Sequence, residues 1–232
     1  MIEHGNGFMG FWSHIDPAYQ LTYQKWHNCE HMPERVSVPG FIEGRRYRSL
    51  DDPSEFFMCY ITEEPEVLRS EAYLAALNRP TPWTQEALTE FQKPRRTLFR
   101  RVASAGSATA YHPYLVLTRF DHAGGADALA ERLLPPLAYE PNSAGAVFEM
   151  DVDASAIMTA ERKIYAGGPS RQQFLMAAET FEPDAVARLS AGVPTLLGEA
   201  AQHVETGAFF IEARVFADEV RANASRLAEV SR

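Results

Sequence analysis

The chain predicts an α+β fold of two tandem ferredoxin-like (βαββαβ) repeats, whose antiparallel sheets pack into an α+β barrel. Three observations carry this reading. Short apolar runs bounded by turn residues alternate with helix-period segments in the order strand-helix-strand-strand-helix-strand, and that order then recurs. A small, polar stretch at 105–110 separates the two rounds, giving 1–105 and 111–217 as repeats and 218–232 as a charged helical tail. In the strand at 56–62 both alternating sets are apolar, Phe56, Met58 and Tyr60 against Phe57, Cys59 and Ile61, so neither sheet face can be left to water. Two such sheets packed face to face, within one chain or between chains, bury the second face and enclose an interior able to hold a small ligand.

The elements follow in order. Residues 8–15 are short and aromatic, bounded by Gly7 and Asp16-Pro17, and read as a strand; Asp16 as N-cap and Pro17 at the first helical position start a helix. That helix runs to about His31, since Met32 precedes Pro33 and is pushed away from helical torsions. Val38-Pro39-Gly40 turns the chain into a strand at 41–50, and Asp51-Asp52-Pro53-Ser54 turns it into the next at 56–62. Helices at 66–77 and 83–91 flank a run of breakers, and 97–103 closes the first repeat. The second repeat reads as strand 114–120, helix 125–137, strand 144–152, strand 174–181, helix 183–201 interrupted at Gly192 and Pro194, and strand 207–216. The segment 154–170, with Gly167-Gly168-Pro169, reads as a long hairpin excursion, able to cover a pocket or else a solvated loop.

Composition narrows the function. At 232 residues and 46% hydrophobic, the chain can bury a full core without disulfides. Cys29 and Cys59 lie in apolar-patterned segments with no CxxC spacing, which fits a reducing compartment and no structural zinc. Without a secretory pattern or a long apolar run, a cytoplasmic protein with no membrane contact is expected. A net charge of −9 argues against nucleic acid. The clusters Arg45-Arg46 and Arg95-Arg96 are local exceptions that an anionic small molecule would satisfy.

Chemistry concentrates between Trp26 and Tyr47. On a 3.6-residue period Ala18, Thr22, Trp26, Cys29 and Pro33 form the core-facing stripe of the first helix, with Glu30 on its margin and His27 and His31 further round. A half-buried Glu30 has a raised pKa or orients a neighbouring imidazole, and either suits acid-base work; the plainer reading pairs it with Arg35 or Arg45. His27 and His31 have the i, i+4 spacing of a helical metal chelate, for which His14, Glu30 or Glu34 could supply a third ligand; the plainer reading is a surface His27. In the second strand Arg45 and Tyr47 share a face, so Arg45 is the candidate inward cation for a carboxylate or enolate oxygen, or else an ion-pair partner. Trp12 and His14 share a face of the first strand; with Trp26, His27 and Tyr60 they are the candidate substrate-binding residues.

Trp26, Glu30-His31, Pro33, Arg35, Val38-Pro39-Gly40-Phe41 and Arg45-Arg46-Tyr47 together resemble the signature of an EthD-like group in the dimeric α+β barrel superfamily. The likeness covers about 100 N-terminal residues and departs from the pattern at His27, where tyrosine is expected, and at Cys29. It implies a ferredoxin-like fold, assembly through sheet faces as a homodimer and a small-molecule pocket. It does not imply one reaction, because that superfamily includes cofactor-free monooxygenases, muconolactone-type isomerases, polyketide-tailoring proteins and haem-binding enzymes. The expectation is a cofactor-independent isomerase or lyase acting on an aromatic-derived or lactone-like compound. In it His31 moves a proton, Glu30 orients it, and Arg45 with Tyr47 holds developing charge. The alternatives are a haem- or metal-dependent oxygenase or dehydratase, and a non-catalytic small-molecule carrier. The second repeat lacks the Glu-His pair and is expected to complete the pocket wall.

Overall fold

The computed structural model describes residues 5–106, 112–139 and 143–230; most of the linker expected at 105–110 lies outside them. Strand β1 (Gly7–Ile15) leads into helix α1 (Gln20–Trp26), a wide π-turn (His27–His31) and α2 (Met32–Val36). Strands β2 (Phe41–Ser49) and β3 (Glu55–Thr62) precede a 3₁₀ turn (Pro65–Arg69), α3 (Glu71–Asn78), α4 (Pro82–Thr89) and β4 (Phe91–Gly106). The second half runs through β5 (Tyr114–His122), α5 (Ala126–Leu133), α6 (Pro135–Tyr139), β6 (Ser143–Met150), α7 (Val152–Ala156), α8 (Ala160–Tyr165), β7 (Phe174–Thr180), α9 (Pro183–Leu197) and β8 (Ala201–Phe216). A final helix, α10 (Ala217–Val230), follows without a break.

The strands are all antiparallel and close into one barrel in the order β1-β3-β2-β8-β5-β7-β6-β4, with β4 returning to β1. Seams at β2–β8 and β4–β6 join the first four strands to the last four, so the face-to-face contact left open by the sequence lies inside one chain. The inner face is dry and aromatic: Phe8, Trp12, Phe57, Phe99, Phe148 and Phe209 meet Cys59, Ile61, Leu117 and Leu175 there. Each fully buried side chain of this size is worth roughly 1.5–3 kcal/mol, and all eight strands contribute, so closure is strongly favoured. The outer face carries two separate cores. One packs Phe11, Phe56, Met58 and Tyr60 under α1 to α4, the other packs Val116, Phe174 and Met176 under α5, α6 and α9. The alternation read in 56–62 therefore divides as expected, one set to the barrel interior and the other to the helices.

Several boundaries depart from expectation for identifiable reasons. Pro33 does not end the first helix; it sits at the start of α2, just after the π-turn, where the regular ladder of hydrogen bonds is already broken and a missing N–H costs little. The same wide turn rotates the buried face. Tyr23, Trp26, His27, His31 and Arg35 point inward while Thr22 and Cys29 are exposed, which corrects the predicted stripe. Strand β4 begins six residues before the predicted 97–103 because Lys93, at φ 49°, and Pro94 form a bulge opposite β1 rather than a break. Strand β8 begins at Ala201 on exposed polar residues that pair with β5, so no apolar alternation marked it. Pro194 lies within α9, which runs on to Leu197, and the expected interruption does not occur. The excursion at 154–170 holds α7 and α8, capped by Asp151 and Thr159 side chains that accept from Ala154 and Arg162 N–H groups.

Candidate functional site

The predicted site residues divide between two sides of the barrel wall. Arg45 and Tyr47 face the barrel interior as expected, with Trp12 nearby on the same lining. There Arg45 donates to the Glu43 and Glu179 carboxylates and, at 3.2 Å, to the Tyr47 hydroxyl, while Arg214 also holds Glu43 at 2.5 Å; Arg45 Nε and Glu179 Oε2 are buried without a partner. The ion-pair reading of Arg45 holds, with Glu43 and Glu179 as partners instead of a glutamate on the first helix. His14 stands at the barrel rim, 3.5 Å from Asp52, and Arg119 covers the Trp12 ring at 4.6 Å. Much of the interior is packed with apolar side chains, but one end opens into a cavity of about 260 Å³ lined by Trp12, Leu117, Arg119, Glu205 and Phe209.

His31 lies on the opposite side of the sheet, under the helices. The Tyr23, His27 and His31 rings form a column with centroid spacings of 5.5 and 5.6 Å, and Trp26 packs beside His31 at 4.4 Å. Trp26 is locked by its indole N–H, which donates to Thr84 at 3.1 Å. Glu30 accepts from the hydroxyls of Thr81 and Thr84, so it ties the π-turn to the start of α4 and does not orient an imidazole. His27 Nδ1 accepts from Arg46 at 3.2 Å, which assigns its proton to Nε2. Arg46 in turn donates to Asn28 at 2.8 Å and Glu212 at 3.1 Å.

A narrow cavity of about 20 Å³, enough for a water molecule, lies beside His31, between the outer sheet face and the helices. Met9, Phe11, Met58, Leu77, Leu88 and Phe91 give it apolar walls. Tyr60 rises from β3, Tyr73 from α3, Arg35 from α2 and Arg96 from β4. Its cover is the excursion from the second half: Thr159, Glu161 and Tyr165 close the remaining side. The cover is latched by a buried ion pair between Arg35 and Glu161, by the Ala160 N–H donating to Asn78 at 2.9 Å, and by the Arg96 N–H donating to the Gly168 carbonyl at 2.9 Å. The second half thus completes the pocket wall. Sequence reasoning found His31 and Tyr60, and it quoted Arg35 and Arg96 only as members of a motif and a basic cluster. Glu161 and Tyr165 carried no local signal, because they reach the pocket from more than 120 residues away.

Electrostatics give these groups defined states. Burial, then the neighbouring charge of Arg35 and the His27 ring, hold the His31 pKa well below the ordinary 6.5, so the imidazole is neutral at neutral pH. Burial and Arg46 do the same to His27. Burial keeps Tyr60 well above its ordinary value against the pull of Arg35, so it remains a phenol, and burial pushes Tyr165 up to about 12. Burial opposes the Arg35 charge, but Glu161 and Glu34 outweigh it. His31 Nδ1 and the Tyr60 hydroxyl are buried with no hydrogen-bond partner in the protein, and both belong to the cavity lining. Orphaned polar groups at one cavity are the mark of a place where something polar binds. A neutral imidazole, a free phenol donor and a guanidinium against apolar walls can take a proton from a small unsaturated compound and hold the anion that results.

The fold and the site define an eight-stranded α+β barrel with a narrow covered cavity on its outer face. No family model matches the chain, and no curated protein matches it. Among solved structures it is similar to an anthrone oxidase-like protein, with a TM-score of 0.62 and 11% identity over 93% of this chain and 95% of the other. It is also similar to a protein from Lactobacillus acidophilus NCFM assigned as a monooxygenase (TM-score 0.57, 6% identity, 91% and 97% covered). A chlorite dismutase variant from Candidatus Nitrospira defluvii aligns at a TM-score of 0.54 and 11% identity, covering 92% of this chain and 93% of that one. Identities this low establish a shared α+β barrel and nothing finer. No helix among the described residues is long and apolar enough to cross a membrane.

Proposed function

We propose that the protein is a cofactor-independent enzyme that moves a proton on a small, aromatic-derived compound admitted beside His31 when the cover over its narrow cavity opens. The barrel is built from two ferredoxin-like halves, 1–105 and 111–217, of which the first supplies the chemistry and the second the lid. His31 is the base, and the observation that carries the reading is its neutral, buried imidazole with an unpartnered Nδ1 at the cavity. Tyr60 and Arg35 take the role first given to Tyr47 and Arg45: a phenol O–H and a guanidinium beside the same cavity, able to hold the oxygen of an enolate. Returning the proton to another carbon is isomerisation; expelling a leaving group from the anion is the lyase outcome.

A second reading is favoured by the names oxidase and monooxygenase carried by structurally similar proteins. The same carbanion meeting dioxygen converts an activated methylene and one O₂ into a carbonyl and one water, with the substrate carbon as the electron donor. The metal and haem alternatives have less support. Among the described residues no three His, Cys, Asp or Glu side chains stand together as a ligand set, and guanidinium groups flank the two imidazoles, which disfavours a cation. His31 is wedged between the Trp26 and His27 rings in a cavity crossed by tyrosines, a poor fit for an axial haem ligand.

The test uses β-tetralone as a probe with an acidic methylene. Wild type is expected to exchange those hydrogens with deuterated water under anaerobic conditions, and His31→Gln to lose the exchange by about 10²–10⁴-fold. Exchange that survives in His31→Gln overturns the proposal. Oxygen uptake in air with formation of the carbonyl product selects the oxygenase reading.

A further inference from the structure

The cavity at the open end of the barrel holds an arginine whose donors are not all met. Arg119 stands on β5 with its side chain only 11% exposed, and its Nη2 donates to Glu205 of β8 at 2.6 Å. Its Nη1 is buried with no hydrogen-bond partner in the protein, and the guanidinium lies 4.6 Å from the centre of the Trp12 ring. Burial opposes the charge of Arg35, Arg45 and Arg119 alike, but of these three only Arg119 is left with a pKa below the ordinary value. A buried N–H without an acceptor costs free energy that a bound oxygen would recover. Around it, Trp12, Leu117 and Phe209 give the cavity an apolar surface, and Gly207, paired with Leu117, brings no side chain to fill it. At about 260 Å³ the space is just below the roughly 300–1,000 Å³ of drug-sized ligand pockets, which suits a compound of one ring. Two carboxylates, Glu55 and Glu205, share the lining with the one guanidinium. Glu205 already neutralises Arg119 and also takes Arg95 at 3.0 Å, so an incoming anion would meet like charge.

We infer that the barrel mouth is a second small-molecule site, which takes a neutral one-ring aromatic bearing a carbonyl beside an N–H or O–H donor, as in an aromatic amide. The ring packs on Trp12, Leu117 and Phe209, the carbonyl oxygen accepts from Arg119 Nη1, and the donor turns to a carboxylate of Glu55 or Glu205. This site lies inside the barrel, across the sheet from His31, and does not rest on the reaction proposed there.

The probes are benzamide and its anionic isostere benzoate, titrated calorimetrically into the full-length wild type, Arg119→Met, Leu117→Phe and His31→Gln proteins, each first shown folded by its circular dichroism melt. Wild type is expected to bind benzamide at least tenfold more tightly than benzoate. Arg119→Met, which removes the donor, and Leu117→Phe, which fills the cavity with apolar volume, should each weaken benzamide binding at least tenfold. Absent benzamide binding, benzoate binding as tight as that of benzamide, or benzamide affinity that survives either variant overturns the inference. Should Arg119→Met fail to fold, benzamide affinity retained in Leu117→Phe still decides against the site. His31→Gln separates the two cavities: benzamide affinity should persist there, and its loss would place the ligand beside His31 and overturn the inference. The exchange of β-tetralone hydrogens should in turn be unchanged in Leu117→Phe.

Discussion

His31 and His27 show how one cause sets both reactivity and stability. Burial and adjacent guanidinium groups keep both rings neutral in the folded protein, whereas in the unfolded chain each titrates near 6.5. As pH falls below 6.5 the unfolded state takes up protons that the folded state refuses, so acid favours unfolding. The slope is about 1.4 kcal/mol per pH unit for each histidine until its folded pKa is reached. Urea unfolding midpoints should therefore drop between pH 7.5 and pH 5.5, and the drop should shrink in His27→Gln; a pH-independent midpoint would contradict the burial of both rings. The motif residues were legible in the sequence, but their orientation was not. A 3.6-residue wheel puts Cys29 inside and His31 toward the margin, and the π-turn at His27–His31 reverses that. Glu30 likewise looked catalytic beside a histidine, and only the distant Thr81 and Thr84 reveal it as a strut.

At the scale of elements, the cover formed by α7 and α8 is held by one buried contact of unusual leverage. Glu161 on α8 meets Arg35 on α2 with both side chains nearly inaccessible. Removing one partner of such a pair leaves a buried charge and typically costs about 3–5 kcal/mol, whereas replacing both by apolar groups of similar volume is often nearly neutral. Glu161→Gln should lower stability by an amount near that range and expose 157–169 to proteolysis, and the double variant Arg35→Met/Glu161→Met should recover most of the stability. Equal loss in single and double variants would show that the latch is not an ion pair. The strands and helices that bury alternate or helical faces were readable because their periodicity is local. The bulge at Lys93 and Pro94 and the exposed start of β8 were not, since pairing with β1 and β5 makes those segments strands despite their composition.

On the scale of the whole molecule, the barrel's polar centre joins the two halves. Glu179 on β7 is fully buried against Arg45 on β2, and Arg214 on β8 reaches back to Glu43, so two ion pairs cross between the halves. Glu179→Gln should cost about 3–5 kcal/mol, while Glu66→Gln, which breaks an exposed pair with Arg69, should cost no more than about 1 kcal/mol. Chemical denaturation of the two variants measures the contrast, and a single coincident transition by fluorescence and circular dichroism is expected for the wild type. The sequence by itself determined the α+β class, the need for both sheet faces to be buried and the region that holds His27 and His31, because hydrophobic periodicity and a dense local motif are properties of neighbouring residues. Only the tertiary structure decided which face each motif residue occupies. It sent Arg45 and Tyr47 into the barrel interior and His31 to a cavity outside it, and it brought Arg96, Glu161 and Tyr165 to that cavity from distant strands and helices. The physical reason is that closure of a sheet fixes inside and outside for all eight strands at once, and no window of sequence contains that constraint.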